Sequence, residues 1–346
     1  MSSKDIESQK IKIQTAIKSR PHVVVLGAGA SRASCPEGDK NGNILPLMDD
    51  FTTSLQLESL LNEWNIDPNQ NFEEIFSDLH EKQESKKIQE LETRIESYFK
   101  KLELPETPTV YDHLVLSLRE QDIIATFNWD PLLLQAYCRN GNCGLELPPL
   151  VFLHGNVNAG FCKQDKRAGL MGNNCSMCQN AFVATPLLYP IKKKNYSQDT
   201  FIVQEWERLK WGFENAIMFT IFGYSGPKTD VVAIEAMKKA WGETEKRQFE
   251  QTHFISNKTE DEVYDNWKEF IHTHHYSVWN NFYESYIGRH PRRTQEAYYH
   301  QYLGAEFLDN MSIPQNCSFE ELWSWYDQFK ESENDEDNLK TFSDVL

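Results

Sequence analysis

Apolar positions along this chain change their period several times, and the changes mark its elements. Val23-Val24-Val25-Leu26 is an unbroken, mostly β-branched run that suits a strand buried on both faces, and it breaks into Gly27-Ala28-Gly29-Ala30-Ser31. Before it, Ile6, Ile13 and Ile17 share one face of a helix from Asp5 to Ser19, which stops at Arg20-Pro21. From Leu45 to Leu118 the period is helical: Leu47, Phe51, Leu55, then Phe72, Ile75, Phe76, Leu79, then Ile88, Leu91, Ile95, Phe99, with Lys and Glu between them. Strand-like runs follow at Asp122–Phe127, Leu150–Leu153, Ala216–Phe222 and His253–Ser256. Helical segments run from Asp130 through Tyr137, after Thr200, and from Val231 to Trp241. Alternating strands and helices predict an α/β fold with a Rossmann-like, mostly parallel sheet, and a helical insertion parts its first two strands. After Asp261 the pattern is helical and aromatic, and the end, Glu331 onward, reads as a disordered acidic tail.

Composition narrows the class. At 346 residues and 12% aromatic, the chain can bury a sizeable core. Its formal charge of −17 argues against broad nucleic-acid or anionic-membrane binding, so an anionic ligand needs a local pocket. The start is charged and mixed, unlike a signal peptide, and the longest apolar run, Ala216 to Phe222, is far too short to span a bilayer. Seven cysteines, odd in number and partly clustered, fit a reducing cytoplasm with a metal site better than a disulfide framework.

Candidate chemistry gathers where strands end. Small residues after the first strand let backbone approach a ligand, and a helix starting near Ser31 would aim free N–H groups at a diphosphate. A dehydrogenase-type domain would place its second strand and a ribose-binding acid about twenty residues on. Asp49 and Asp50 stand at that distance, but inside the helical pattern. The polar turn Cys35–Asn43 reads as a mobile loop near the ligand. The second strand runs into Thr126-Phe127-Asn128-Trp129-Asp130-Pro131. There Asp130 is placed either to cap a helix or to serve the ligand, and Asn128 has no such structural duty. The third strand ends in His154-Gly155, a histidine placed for acid/base work or satisfied by backbone carbonyls. Beyond it, Cys162 and the pair Cys175-x-x-Cys178 offer three thiolates to a structural zinc, with Cys143 or Cys138 as the fourth and Cys143 preferred; free cysteines are the alternative. The strand Ala216–Phe222 ends in Gly223-Tyr224-Ser225, where Ser225 and Asp230 either bond ribose and phosphate or cap the next helix. Arg289-His290-Pro291-Arg292-Arg293 is the one concentrated basic spot late in the chain, read as a solvated loop in preference to a phosphate contact.

In this order, Gly27-Ala28-Gly29-Ala30-Ser31, Thr126-Phe127-Asn128-Trp129-Asp130, His154-Gly155, the cysteine insertion and Gly223-Tyr224-Ser225 with Asp230 resemble a sirtuin-like domain over roughly 18–257. Within that family the chain is most similar to the bacterial sirtuin-like NAD-hydrolysing effectors of antiphage defence. The resemblance implies that residues 27–31 hold the NAD+ diphosphate, that Asn128 and His154 are the catalytic pair, and that Asp130 supports the nicotinamide side. Gly223, Ser225 and Asp230 would face the adenosine half. It also implies a catalytic domain over 1–260, with a helical insertion at about 45–118 and a possible zinc insertion at about 156–182. A helical C-terminal region over 261–330 and the tail 331–346 would follow. Deacylases of the family carry Gln where Phe127 stands and an extended Val- and Pro-containing segment after the last glycine turn, and both are missing here. The expected activity is therefore NAD+ hydrolysis in the cytoplasm, with structural Zn2+ and with control by a separately encoded sensor protein or by homo- or hetero-oligomer assembly. A deacylase, an ADP-ribosyltransferase and a silent NAD or ADP-ribose binding subunit are the alternatives.

Overall fold

The computed structural model describes residues 20–191, 196–227, 230–247, 250–304 and 307–334. The expected helix at Asp5–Ser19 and residues 335–346 of the tail lie outside them. Six parallel strands form the main sheet in the order β3-β2-β1-β7-β8-β9. They are β1 (His22–Leu26), β2 (Ile123–Thr126), β3 (Leu150–Phe152), β7 (Met218–Phe222), β8 (Gln251–Ile255) and β9 (Tyr276–Trp279). Renumbered among themselves this is 3-2-1-4-5-6, the doubly wound order whose direction of growth reverses beside its first strand. A separate antiparallel sheet of β4 (Ala159–Cys162), β5 (Arg167–Leu170) and β6 (Val183–Ala184) has β4 in its centre.

Strand β1 shows why the sheet lies in the middle. Val24 and Leu26 belong to one apolar cluster and Val23 and Val25 to the other, so successive side chains feed opposite faces. The first face is covered by the insertion: after α1 (Ala28–Ser34) come α2 (Phe51–Ser54), α3 (Glu58–Glu63), α4 (Phe72–Glu81), α5 (Ser85–Lys100) and α6 (Val110–Leu116). Phe51, Leu55, Phe72, Ile75, Phe76, Leu79, Leu91, Ile95 and Phe99, nine of the eleven residues that set the helical period, are buried in that cluster, and Ile88 packs partly buried against it. The second face is covered by helices that follow α7 (Leu132–Asn140), namely α8 (Thr200–Asn215), α9 (Val231–Trp241) and α10 (Glu260–Trp267). Leu209 and Phe213, Met237 and Trp241, and Val263 and Trp267 fill it. None of the described helices is long and apolar enough to cross a membrane.

Three stretches depart from the expectation. The C-terminal region is not wholly helical: Tyr276–Trp279 pairs with β8 as the sixth strand. Its four residues sit half-buried at the sheet edge among aromatics that helices use equally well, so periodicity could not separate the two states. Helices α11 (Tyr286–Arg289), α12 (Thr294–Tyr299) and α13 (Phe319–Asn334) complete the region, and α13 carries helix four residues into the expected acidic tail. The basic cluster is not simply a solvated loop, since His290 and Arg292 within it are buried. Arg292 is buried and its guanidinium donates to the carbonyls of Leu116, Leu118 and Glu146, closing the C-terminal end of α6. The Cys35–Asn43 turn is tied down by Asp39, whose carboxylate accepts the N–H groups of Asn41, Asn43 and Glu103.

Two glycine turns lock together where the sheet changes direction. Gly29 N–H donates to Gly223 O at 2.9 Å and Gly27 N–H to Phe222 O at 3.0 Å. Gly223 adopts φ +63°, and a Cβ there would lie 2.2 Å from Ala30 N. On both counts only glycine fits. Gly223→Ala should cost about 3 kcal/mol, whereas Gly242→Ala, also at positive φ but with nothing within 4 Å, should cost only about 1 kcal/mol. Denaturant midpoints of the two variants compare close approach with backbone strain alone.

Under the second half of the sheet lies a polar seam. His22 Nε2 is 2.7 Å from Thr220 Oγ1, and neither ring nitrogen of the buried His253 has a hydrogen-bond partner among the described residues. Burial holds both imidazoles far below the ordinary range, at about 3. The unfolded chain takes up these protons near pH 6.5 and the folded chain only near 3, so the unfolded state binds more protons in between. Stability from this source is present above pH 6.5 and falls towards pH 3, by up to about 1.4 kcal/mol per pH unit for each histidine. Unfolding free energies measured from pH 7 to 4.5 should fall accordingly, and His253→Phe should make the slope shallower by about one histidine's share.

Candidate functional site

The parallel register brings the sequence-predicted residues to one edge. Leu26 is level with Thr126 and with Phe222, and Thr126 with Phe152. Gly27–Ser31, Asn128 with Asp130, His154 and Gly223–Tyr224 therefore all follow the carboxyl ends of four adjacent strands. The β1/β7 pair lies where the strand order reverses, the place at which open α/β sheets form a ligand crevice.

At the first turn, Gly27 caps α1, which begins at Ala28 and buries Ala30 and Ser31. Its donors are largely spent on the fold: besides Gly27 and Gly29, Ala30 N–H bonds Gly27 O at 2.9 Å. Ser31 is the polar centre. Its hydroxyl donates to Asp130 Oδ2 at 2.6 Å and lies 2.7 Å from the Tyr111 hydroxyl. Asn128 Nδ2 reaches Gly27 O and Ser31 Oγ, both at 2.9 Å, and the Tyr111 hydroxyl at 3.2 Å. Of the two duties expected of Asp130 in alternative, the structure shows the one at the helix start: its other oxygen accepts Leu132 N–H at 3.1 Å at the start of α7. Burial raises the Asp130 carboxyl, and the Ser31 hydrogen bond opposes this. Tyr111, on α6, was not anticipated. A tyrosine on an apolar helical face looks like core until a polar partner is seen.

His154 sits in an aromatic stack one strand away. Its ring meets the edge of Phe127 at 4.8 Å between centroids and stacks on Tyr196, whose hydroxyl is 3.0 Å from Nε2. Phe127 stacks in turn on Tyr224 at 4.3 Å, and the Tyr224 hydroxyl donates to Asp230 Oδ2 at 3.0 Å. Burial, then the Asp230 charge, raises the Tyr196 and Tyr224 hydroxyls, so both stay neutral donors. Gly155 leaves room for backbone rather than for a ligand, since a Cβ there would fall 1.9 Å from Pro186 O. Ser225 is exposed, and Asp230 is buried at the start of α9, where its side chain does not cap the helix.

The cysteine insertion folds as the three-stranded sheet. Cys162, Cys175 and Cys178 converge with Asp165, all four donor atoms lying within 4.8 Å of one another. Cys162 and Cys178 Sγ are 3.4 Å apart, close to the ~3.8 Å that two sulfurs on a tetrahedral zinc would show. Three thiolates and a carboxylate are a donor set zinc accepts, and these residues would hold it. Cys143 is not among them. It is buried in the main core beside the end of α7, where its N–H bonds Asn140 O, and Cys138 is exposed on that helix. The fourth donor is local instead, because the turn after β4 brings Asp165 N–H back onto Cys162 Sγ at 3.4 Å. The signal was in the spacing: Cys162-x-x-Asp165 repeats that of Cys175-x-x-Cys178.

No family model and no curated protein matches the chain. Solved structures similar to it include a Sir2 homologue variant in complex with ADP-ribose, at 12% identity over 89% of this chain and 100% of that one, with a TM-score of 0.39. A Sir2 homologue–NAD complex is 12% identical over 84% of this chain and 93% of that one, with a TM-score of 0.36. A Sir2 variant with a deacetylated p53 peptide and acetyl ADP-ribose is 12% identical over 79% and 92%, with a TM-score of 0.34.

The donor set makes one prediction. The purified chain should carry about one zinc per molecule by elemental analysis. Asp165→Ala and Cys175→Ser should each lose most of it and lower the melting temperature, whereas Cys143→Ser should leave the zinc content unchanged.

Proposed function

We propose that this chain is a sirtuin-like enzyme that hydrolyses NAD+ to nicotinamide and ADP-ribose. The observation that carries the reading is the juxtaposition, at the reversal point of a doubly wound sheet, of the Ser31–Asn128–Asp130 network with His154 on the next strand. NAD+ would lie with its diphosphate against Gly27–Ser31 and its nicotinamide ribose between Asn128 and His154.

Breaking the nicotinamide–ribose bond sends the electron pair to the nicotinamide and leaves oxocarbenium-like positive charge on the ribose. The site then has to orient the sugar, stabilise that charge and admit water. Asn128 would bind a ribose hydroxyl or the attacking water. His154 would take the proton as the water oxygen bonds the anomeric carbon. Hydrolysis is favoured over transfer to a peptide by the turn after β7. Asp230 N–H bonds Pro227 O at 2.9 Å just before α9, and the sequence there lacks the extended Val- and Pro-containing segment of the family's deacylases. Nor does the buried ring of Phe127 offer a polar group between Tyr224 and His154.

The wider role proposed is NAD+ depletion in bacterial antiphage defence, in the cytoplasm, switched by a separately encoded partner or by assembly. One observation accords with a switch: the Tyr196 hydroxyl lies 3.0 Å from His154 Nε2, at a ring nitrogen that a base would use.

NAD+ loss measured on the purified chain should be slow alone and rise when products of the neighbouring genes are added. His154→Ala and Asn128→Ala should each lower the activated rate about 100-fold or more. Turnover only with an acylated peptide would instead indicate a deacylase, and NAD+ binding without turnover a binding subunit.

A further inference from the structure

We infer that Tyr111 is the positioning residue of this site: with Ser31 it holds the Asn128 amide in one orientation, leaving Oδ1 as an acceptor for a neutral hydroxyl, ribose or water. The inference rests on the reading of Asn128 as the residue that meets ribose or water. The assignment follows from the direction of each hydrogen bond. Gly27 O can only accept, so the Asn128 atom 2.9 Å from it is the amide nitrogen. Ser31 spends its single proton on Asp130 Oδ2, so the Tyr111 hydroxyl, 2.7 Å from Ser31 Oγ, must donate to it. Protons thus run from Tyr111 to Ser31 to Asp130. Asn128 Nδ2, with two protons to give, donates one to Gly27 O and shares the other between Ser31 Oγ and the Tyr111 oxygen. Asn128 Oδ1 has no hydrogen-bond partner among the described residues. An amide locked this way welcomes a hydroxyl and repels a carboxylate or phosphate oxygen.

The helix that carries Tyr111 is anchored at both ends, as a positioning element requires. At its start, the fully buried Asp112 carboxylate accepts from Thr109 N–H at 2.7 Å and Oγ1 at 2.8 Å, from Asn140 Nδ2 at 2.8 Å and from the Arg139 guanidinium. At its end, Arg292 holds the carbonyls of Leu116 and Leu118. Tyr111 itself is fully buried, and burial followed by the Asp130 charge keeps its hydroxyl neutral and a donor. The helical insertion therefore does more than cover the sheet: its last helix delivers one hydroxyl to the site.

Tyr111→Phe keeps the ring and removes the oxygen. The Asn128 side-chain amide signal in NMR, identified by its loss in Asn128→Ala, should exchange its protons at least about tenfold faster in Tyr111→Phe, with the melting temperature within a few degrees. The kcat for NAD+ loss should fall about 10- to 100-fold with KM moving less than about threefold. Tyr111→Phe should add nothing to Asn128→Ala in the double variant. Unchanged amide exchange, or additive losses in the double variant, overturns the inference. Absence of turnover in the wild type would count against the NAD+ reading alone, because amide exchange reports on the tyrosine in either case. Should Tyr111→Phe fail to fold, Ser31→Ala breaks the same relay at its centre and carries the same expectation.

Discussion

The close approach of two backbone turns, Gly27–Gly29 after β1 and Gly223 after β7, is the constraint on which the site depends. Carbon atoms at these positions would overlap the facing chain, so three residues without side chains let two strand ends touch through backbone hydrogen bonds. That contact fixes where α1 starts. The start of α1 fixes Ser31, and Ser31 organises Asn128, Asp130 and Tyr111. In many phosphate-binding turns the glycines make room for the ligand. Here much of the room they make is taken by the other turn, and specificity passes to side chains.

Those side chains fall into two halves of opposite character. One is a hydrogen-bonded polar knot of serine, asparagine, aspartate and tyrosine. The other is an aromatic column running from Tyr224 through Phe127 and His154 to Tyr196, with hydroxyls at both of its ends. Buried polar groups of this kind are costly unless satisfied, and in each half the hydroxyls are paired.

How much of this was legible in the sequence depended on whether the signal was local. A β-branched run such as Val23–Leu26 declares itself, and the long helical period of 45–118 does too, because many consecutive positions repeat one message. The mostly parallel sheet followed from strands alternating with helices, and the strand-end residues from their place after apolar runs. Short, half-buried or long-range features did not show. Strand β9 is four residues of mixed burial. Tyr111 becomes polar in role only beside Ser31, eighty positions earlier. Arg292 looks like a surface charge until the carbonyls it closes, about 175 positions away, are placed beside it. Asp165 is a carboxylate among thiols, so a cysteine pattern does not include it, although its spacing from Cys162 matches that of the Cys175–Cys178 pair.

The order of strands in the sheet also sets an order in time. Strand β1 leaves the ribosome early but lies in the middle, and its neighbours on either side are β2, past the whole helical insertion, and β7, almost two hundred positions on. Contacts of such separation close late, after local helices have formed. The knot around Asn128 joins positions 101 apart, and the Gly223 turn that wedges α1 in place comes later still. A nascent chain therefore carries Asn128 and His154 long before it carries the turn that completes the crevice. Whatever the crevice binds, it can be complete only after the strands on both sides of β1 have been added.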